Sequence, residues 1–93
     1  MIIGVLELDI ILPGCQSLKD KRMVLRSIKA KIKSKFDASI AETDYQDKWQ
    51  RSKMAFVIVA NQKSHTEEVL QKIFHTLDRD YSFEVIKHSF EYK

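Results

Sequence analysis

"KMAFVIVA" (residues 53–60) is the stretch of sequence that decides the fold. Seven consecutive apolar residues follow its single lysine. A short, nearly continuous apolar run is typical of a central β-strand with both faces covered. Residues 61–63 then turn the chain, and a helical pattern follows. We therefore expect a strand–helix unit in this part of the chain.

The helix after this strand is predicted to open at Ser64, which forms an S-x-x-E capping box with Glu67. Apolar residues then recur at helical spacing, at Val69, Leu70, Ile73, Phe74 and Leu77. A last strand of mixed character is predicted at residues 83–92. The second half of the chain is therefore strand, helix, strand.

The first half of the chain repeats this order. Residues 1–12, "MIIGVLELDIIL", are apolar or small at every even position, which predicts a strand ended by the Pro-Gly pair that follows. Ser17 and Asp20 form an imperfect capping box, so a helix should start at Leu18. A short strand, "ASIAE", is predicted at residues 38–42.

The predicted order is β-α-β-β-α-β over a single domain of residues 1–93. Two right-handed β-α-β units joined in this way give an α+β, ferredoxin-like sandwich, in which both helices cover one face of a four-stranded antiparallel sheet. The first and third strands lie at the centre of such a sheet, which suits the two most apolar strands of this sequence.

The basic residues are concentrated in the first helix. Residues 17–36 hold eight of the sixteen Lys and Arg residues but only one acid, Asp20, although the net charge of the whole chain is +3. On a helical wheel, five of these cations share one sector of about 80° beside the apolar stripe. They are the candidate nucleic-acid-binding residues Lys19, Arg22, Arg26, Lys29 and Lys33.

This sector favours an anionic partner, because like charges three and four positions apart repel and no acids are interleaved to relieve them. No aromatic residue lies between the cations. Contact with the phosphates of a structured nucleic acid is therefore favoured over stacking on single-stranded bases. The alternative is an ordinary solvated helix whose long side chains shield the edge of the core.

The remaining composition narrows the class of protein. A single cysteine excludes an internal disulfide, and the three histidines do not have the spacing of a zinc site. Residues 1–12 lack the basic start of a signal peptide, and Glu7 and Asp9 interrupt their apolar run. We therefore expect a cytoplasmic protein without a membrane span. No catalytic constellation is present, so we expect neither an enzyme nor a cofactor.

Glu42, Asp44 and Asp47 form a small acidic group that could hold Mg²⁺ or act as acid and base. No nucleophile or oxyanion donor accompanies this group in the sequence. Solvation or pairing with neighbouring cations is therefore favoured, and these cations are Lys48, Arg51 and Lys53.

The third strand offers two faces. One carries Lys53, Ala55, Val57 and Val59, and the other carries Met54, Phe56, Ile58 and Ala60. Neither face is rich in the aromatic residues with which RNA-recognition modules read bases. A face of Val and Ala on a central strand is expected to be covered, and we predict a homodimer through the open face of the sheet.

Residues 43–52, "TDYQDKWQRS", contain the only tryptophan, Trp49, close to Tyr45. The two aromatic residues could form an exposed recognition element. A Trp that caps the core or fills a dimer contact is favoured, because its large area is costly to leave in water. The candidate interface or ligand residues are Asp44, Gln46, Asp47, Trp49, Gln50 and Arg51. The alternative function is a regulatory module that binds a small molecule here, at a subunit interface.

Two longer motifs carry a resemblance to a known family: "LPGCQSLKDKR" (residues 12–22) and "AETDYQDKWQR" (residues 41–51). Over nearly its whole length the chain resembles the YlxP-like family, a bacterial domain of unknown function, family 503. The resemblance implies a ferredoxin-like fold. Because members of this family are often encoded near translation and ribosome-maturation factors, it also implies a ribosomal or other structured RNA partner. It makes the matching residues candidates for function: Lys19, Lys21, Arg22, Asp44, Gln46, Asp47, Trp49, Gln50 and Arg51.

Overall fold

A computed structural model describes residues 1–93 as a four-stranded sheet that carries both helices on one face. The elements, in chain order, are β1 (Ile2–Ile11), α1 (Leu18–Lys33), β2 (Ser39–Asp44), β3 (Arg51–Ala60), α2 (Lys63–Asp78) and β4 (Glu84–Tyr92). The strand order is β2-β3-β1-β4, and every neighbouring pair is antiparallel. The predicted ferredoxin-like fold is confirmed, with β1 and β3 at its centre.

The core lies between the sheet and the helices. Alternate side chains of the central strands point into it, so Leu6 and Leu8 of β1 lie opposite Phe56 and Met54 of β3. The helices bury the apolar stripes that their sequences predict, at Leu25, Ile28, Ile32, Leu70, Ile73 and Leu77. Each element therefore buries one face, which is the property that its sequence period encodes.

Several predicted boundaries move by one to three residues. β2 and β3 pair as far as Asp44 and Lys53 across an irregularity in the register after Glu42, so β2 extends beyond residue 42 and β3 starts at Arg51. α1 ends at Lys33, and Phe36 packs against the core from the connection that follows.

Side-chain capping accounts for the start of one helix but not of the other. Ser17 caps α1, since its Oγ accepts the backbone N–H of Asp20 at 3.1 Å. α2 begins at Lys63, with Gln62 as its cap and no side-chain capping bond. The predicted start of α2 at Ser64 is therefore wrong.

Packing sets the start of α2 instead. Thr66 is fully buried, and both its backbone N–H and its Oγ1 donate to the carbonyl of Gln62, at 3.2 Å and 3.0 Å. Gly4 of β1 lies directly beneath it, since a Cβ at Gly4 would overlap Thr66 Cγ2. The close approach of helix and sheet at this point positions the first turn of α2, while Ser64 and Glu67 form no capping hydrogen bond.

The other face of the sheet is not covered within this chain. Val59 is 63% exposed there, while Val5, Ala55 and Val57 are half-buried. β3 is central, as its sequence predicts, but the cover that we expect for its second face has to come from outside this chain.

Candidate nucleic-acid interface and adjoining groove

α1 presents the five predicted cations on one flank. Four of them are exposed and Lys29 is half-buried, and none forms an ion pair with an acid. At a rise of about 1.5 Å per residue, the row from Lys19 to Lys33 is about 21 Å long. We call this set the basic stripe: Lys19, Arg22, Arg26, Lys29 and Lys33.

The opposite flank of α1 faces the turn before β4. Lys31 Nζ lies 3.6 Å from Asp80 Oδ2. Met23 and Val24 line a small cavity together with Tyr81 of the same turn. The centre of the basic stripe is about 160° from Lys31 around the helix axis. The stripe therefore points away from β4, towards solvent on the β2 side of the molecule.

Lys21 lies on the same helix but not in the basic stripe. Its side chain is 1% exposed, and its Nζ forms an ion pair with Glu42 Oε2 at 2.9 Å. The Nζ also donates to the backbone carbonyls of Tyr45, Gln46 and Arg51, at 2.8, 3.3 and 3.4 Å. A buried ammonium is tolerated when its charge is paired and its donors are satisfied, as they are here. Lys21 therefore fastens α1 to the segment between β2 and β3.

Tyr45 has a left-handed backbone conformation, with φ at 61°. This conformation is uncommon for residues other than glycine and costs on the order of 1 kcal/mol or more. Two contacts hold Tyr45 in place: its N–H donates to Asp44 Oδ1 at 2.7 Å, and its carbonyl accepts from Lys21. The segment that follows β2 is thus a shaped turn, fixed by a side chain from α1.

Arg51 and Asp9 form an ion pair on the open face of the sheet. Arg51 Nε lies 3.2 Å from Asp9 Oδ1 and Nη2 lies 2.9 Å from Oδ2, so two parallel bonds hold the guanidinium. The hydrogen bond to Asp9 raises the pKa of Arg51 above its usual value. The guanidinium carbon also lies 4.4 Å from the centre of the Tyr45 ring, in a cation–π contact.

An open groove of about 510 Å³ lies next to this pair, and most of the segment between β2 and β3 lines it. Its lining residues are Ile11, Tyr45, Asp47, Lys48, Trp49, Gln50 and Arg51. Trp49 is 53% exposed, so the expectation that it caps the core is wrong. The dimer contact, its other favoured role, stays a prediction. The volume falls within the range of small-ligand sites in proteins.

The structure brings together four of the six candidate interface or ligand residues, Asp47, Trp49, Gln50 and Arg51, around this groove. Asp44 and Gln46 do not line it. The carboxylate of Asp44 accepts the Tyr45 N–H, and the carbonyl of Gln46 accepts from Lys21. Asp44 and Gln46 therefore stabilise the conformation of the turn and do not contact the groove.

The two motifs of the family resemblance are in contact. The backbone carbonyl of Gln50 accepts the N–H of Leu12 at 2.9 Å, and its side-chain Nε2 donates to the carbonyls of Cys15 at 2.9 Å and Pro13 at 3.4 Å. Lys21 adds its own bonds to the same segment. Residues 12–22 and 41–51 therefore form one structural unit, a relationship that their separation in sequence concealed.

The predicted acidic group does not form as expected. Glu42 points into the protein, where it pairs with Lys21 and accepts the hydroxyl of Ser52 at 2.6 Å. Asp44 accepts the backbone N–H of Tyr45, and Asp47 is exposed and forms no ion pair. The three carboxylates therefore have three separate environments.

The cations expected to pair with this group also have other partners. Lys53 lies 3.4 Å from Glu7 and Arg51 pairs with Asp9, both across the β1–β3 ladder, while Lys48 makes no ion pair. These cations therefore do not pair with the acidic group, because Arg51 and Lys53 are engaged by acids of β1 on the open face of the sheet. The other expectation for the group, solvation, fits Asp44 and Asp47, which are exposed.

The other residue types considered for chemistry do not converge. Cys15 is buried, and burial, reinforced by the charge of Asp20, raises the pKa of its thiol. His65, His75 and His88 are exposed, and no three His, Cys, Asp or Glu side chains come close enough to hold a metal ion. Neither helix combines the length and apolar character needed to cross a bilayer.

Known proteins share much of this sequence. Residues 3–90 match the family described as "Protein of unknown function (DUF503)". The chain belongs to this family. A relative from Bacillus subtilis (strain 168), described as "Uncharacterized protein YlxP", is 38% identical over 77 residues, which is 83% of this chain and 84% of the relative. The family resemblance carried by the two motifs is therefore confirmed.

A solved structure resembles this fold more remotely. It is described as "LarC2, the C-terminal domain of a cyclometallase involved in the synthesis of the NPN cofactor of lactate racemase", in the apo form. The match has a TM-score of 0.48 and 8% identity, and it covers 100% of this chain and 55% of that one. No function is transferred from this likeness, so the function of this DUF503 member has to be argued from its own surface.

Proposed function

We propose that this protein is a non-enzymatic, cytoplasmic RNA-binding protein that associates with ribosomal or other structured RNA through the basic stripe. The observation that carries the proposal is the state of the five cations: they share one flank of α1, and no acid neutralises any of them. A helix selected for stability alone would mix acids into such a row, because like charges in adjacent turns repel.

The geometry of the stripe suits a phosphate backbone. A row of about 21 Å on one straight helix can contact several successive phosphates, each of which releases counterions when it is neutralised. Met23 is the only large apolar side chain exposed on α1, and it lines the cavity with Tyr81 instead of belonging to the stripe. The stripe itself therefore offers charge without an aromatic surface for base stacking. This arrangement supports recognition of backbone shape rather than of single-stranded sequence.

A matched pair of triple variants tests this function. Replacing Arg22, Arg26 and Lys29 by Glu should abolish co-purification of ribosomal RNA at low salt, and wild-type binding should weaken steeply as salt rises. The control replaces three exposed cations by Glu, Lys63 and Lys72 of α2 and Arg79 at its C-terminal cap, which changes the net charge equally. Retained affinity in the α1 variant, or equal loss in both variants, would contradict the proposal.

A second candidate function is a regulatory module that binds a small molecule between β2 and β3. The groove of about 510 Å³ with its exposed Trp49 supports it, since no such concavity lies on the basic stripe. A thermal-shift screen against metabolites separates the two functions. Stabilisation by a small ligand in a protein that shows no RNA affinity would favour this second function over the first.

The partner that we propose for the open sheet face is a second copy of this chain. Paired residues of β1 and β3 make one end of that face apolar: Ile3, Val5, Ala55, Val57 and Val59. Towards the middle of the face, Glu7 of β1 stands beside Lys53 of β3. A two-fold axis parallel to the strands would bring Glu7 of one copy near Lys53 of the other, so this part of the face is complementary to itself, and a contact confined to these two parts leaves Arg51 and the groove at the far end uncovered.

A further inference from the structure

The groove formed by the segment between β2 and β3 contains a preorganised stacking platform. Two bonds to Asp9 hold the guanidinium of Arg51, and the ring of Tyr45 packs against it. Tyr45 is itself fixed, because its strained backbone is tied to Asp44 and Lys21. When a planar ligand stacks on such a platform, the protein loses little additional conformational freedom.

Trp49 supplies an exposed aromatic surface in the same groove. The indole is 53% exposed, although the next residue, Gln50, is anchored by three hydrogen bonds. The chain therefore holds a large apolar ring in water on a segment that is not free to move. An exposed Trp beside an ordered Arg–Tyr pair is the combination on which nucleobases stack.

The polar residues of the groove fit the rest of a nucleotide. The carboxylate of Asp47 and the ammonium of Lys48 both line it, and neither is in an ion pair. A carboxylate accepts hydrogen bonds from the N–H groups on the edge of a base, and guanine offers two adjacent ones. An ammonium pairs with a phosphate. The groove of about 510 Å³ has room for one nucleotide.

The groove and the start of the stripe are linked through Lys21. Lys21 belongs to the first turns of α1, as Lys19 and Arg22 do, and its Nζ bonds the carbonyls of Tyr45, which lines the groove, and of Gln46. The stripe lies on the helix side of the sheet and the groove lies towards its open face, so the edge at β2 separates them. One RNA molecule that crosses this edge can contact the start of the stripe and the groove together.

We propose that the groove receives a single unstacked base of the bound RNA, preferably guanine, which stacks on Trp49 while the basic stripe holds the flanking phosphates. This inference rests on the proposed RNA-binding function and adds a second recognition site to it. It predicts that the favoured RNA is structured but carries an unpaired purine.

Trp49 is the only tryptophan of the chain, so its fluorescence reports directly on the groove. The experiment titrates the full chain with two RNA hairpins that differ only in one bulged guanosine. We expect the bulged hairpin to quench Trp49 and to bind about 10-fold to 100-fold more tightly than the fully paired one, the range expected when a base stacks on an aromatic side chain. Replacement of Trp49 by Ala should remove this difference, and Trp49→Phe should retain part of it.

Controls separate this inference from the proposed function. Tyr81→Ala, at a fully exposed aromatic residue of the turn before β4, should bind both hairpins as wild type does. Equal affinities for the two hairpins without quenching would overturn the groove as a base site and leave the basic stripe intact. Quenching by free GMP in a chain that binds neither hairpin would overturn both, since the groove would then be a nucleotide site without RNA.

Discussion

Lys21 and Glu42 are joined by a buried ion pair, with 2.9 Å between Nζ and Oε2. The pair links α1 to the edge strand β2, and Lys21 occupies a position in the apolar stripe of α1. Ser52 and three backbone carbonyls complete the network, and no buried side-chain polar atom of the chain lacks a hydrogen-bond partner. The pair thus holds α1, which carries the basic stripe, against the segment that lines the groove, and these are the two proposed RNA contacts.

The first prediction concerns this pair. Lys21→Met should lower the free energy of unfolding by about 2–4 kcal/mol, because it leaves the partly buried Glu42 carboxylate without a counter-charge and three backbone carbonyls without a donor. Adding Glu42→Leu should recover part of the loss but not all of it, since the carbonyls of Tyr45 and Gln46 still lack their donor. Urea unfolding of the two single variants and the double variant measures the coupling. Additive effects would contradict an energetic link between the two residues.

A second prediction concerns the contact of α2 with β1. Gly4→Ala should destabilise the protein by about 1–3 kcal/mol, because the added Cβ overlaps Thr66 Cγ2 and also approaches Leu70. Thr66→Ser in the same chain removes the obstructing methyl group and should restore part of the stability. The control is Gly14→Ala, where a Cβ meets no atom within 4 Å. Gly14→Ala should leave the urea midpoint unchanged or raise it slightly, because an alanine restricts the unfolded chain. Midpoints that fall equally for both glycines would show that the overlap with Thr66 is not responsible.

A third prediction tests the proposed homodimer. Val59→Glu places a charge on the apolar end of the open face, and two-fold symmetry introduces it twice, so dimer affinity should fall by at least about 100-fold. The fold should survive, since Val59 is 63% exposed in the single chain. Met23→Glu is the matched control, because Met23 is 59% exposed but lies on α1. Sedimentation over a range of concentrations gives the result, and a wild-type protein that stays monomeric throughout would reject this dimer.

The site was only partly predictable from the sequence. The basic stripe follows from helical period alone, since the wheel positions of Lys19 to Lys33 depend on nothing outside α1. Lys21 left one signal: at about 20° from Ile28 on the wheel, it falls among the apolar residues, where an unpaired charge cannot remain. The sequence pattern does not reveal its partner Glu42, because Lys21 in α1 and Glu42 in β2 are 21 positions apart and meet only in the folded chain.

The sequence by itself determined the elements and their order. β1, β3 and both apolar helix stripes are read from side-chain periods of about two and 3.6 residues, which record the burial of one face of each element. It also determined the asymmetry of charge along α1, because charge is a property of composition.

Tertiary structure decided which distant groups meet. Arg51 pairs with Asp9, although Asp44 and Asp47 are closer to it in sequence. Tyr45 has a left-handed backbone conformation that is more usual for glycine, and α2 starts at Lys63 instead of Ser64. Local preferences in such cases amount to about 1 kcal/mol, and they yield to contacts between elements that are far apart in sequence. The groove exists only because two such segments, residues 12–22 and 41–51, are brought together by the sheet and tied by Lys21 and Gln50.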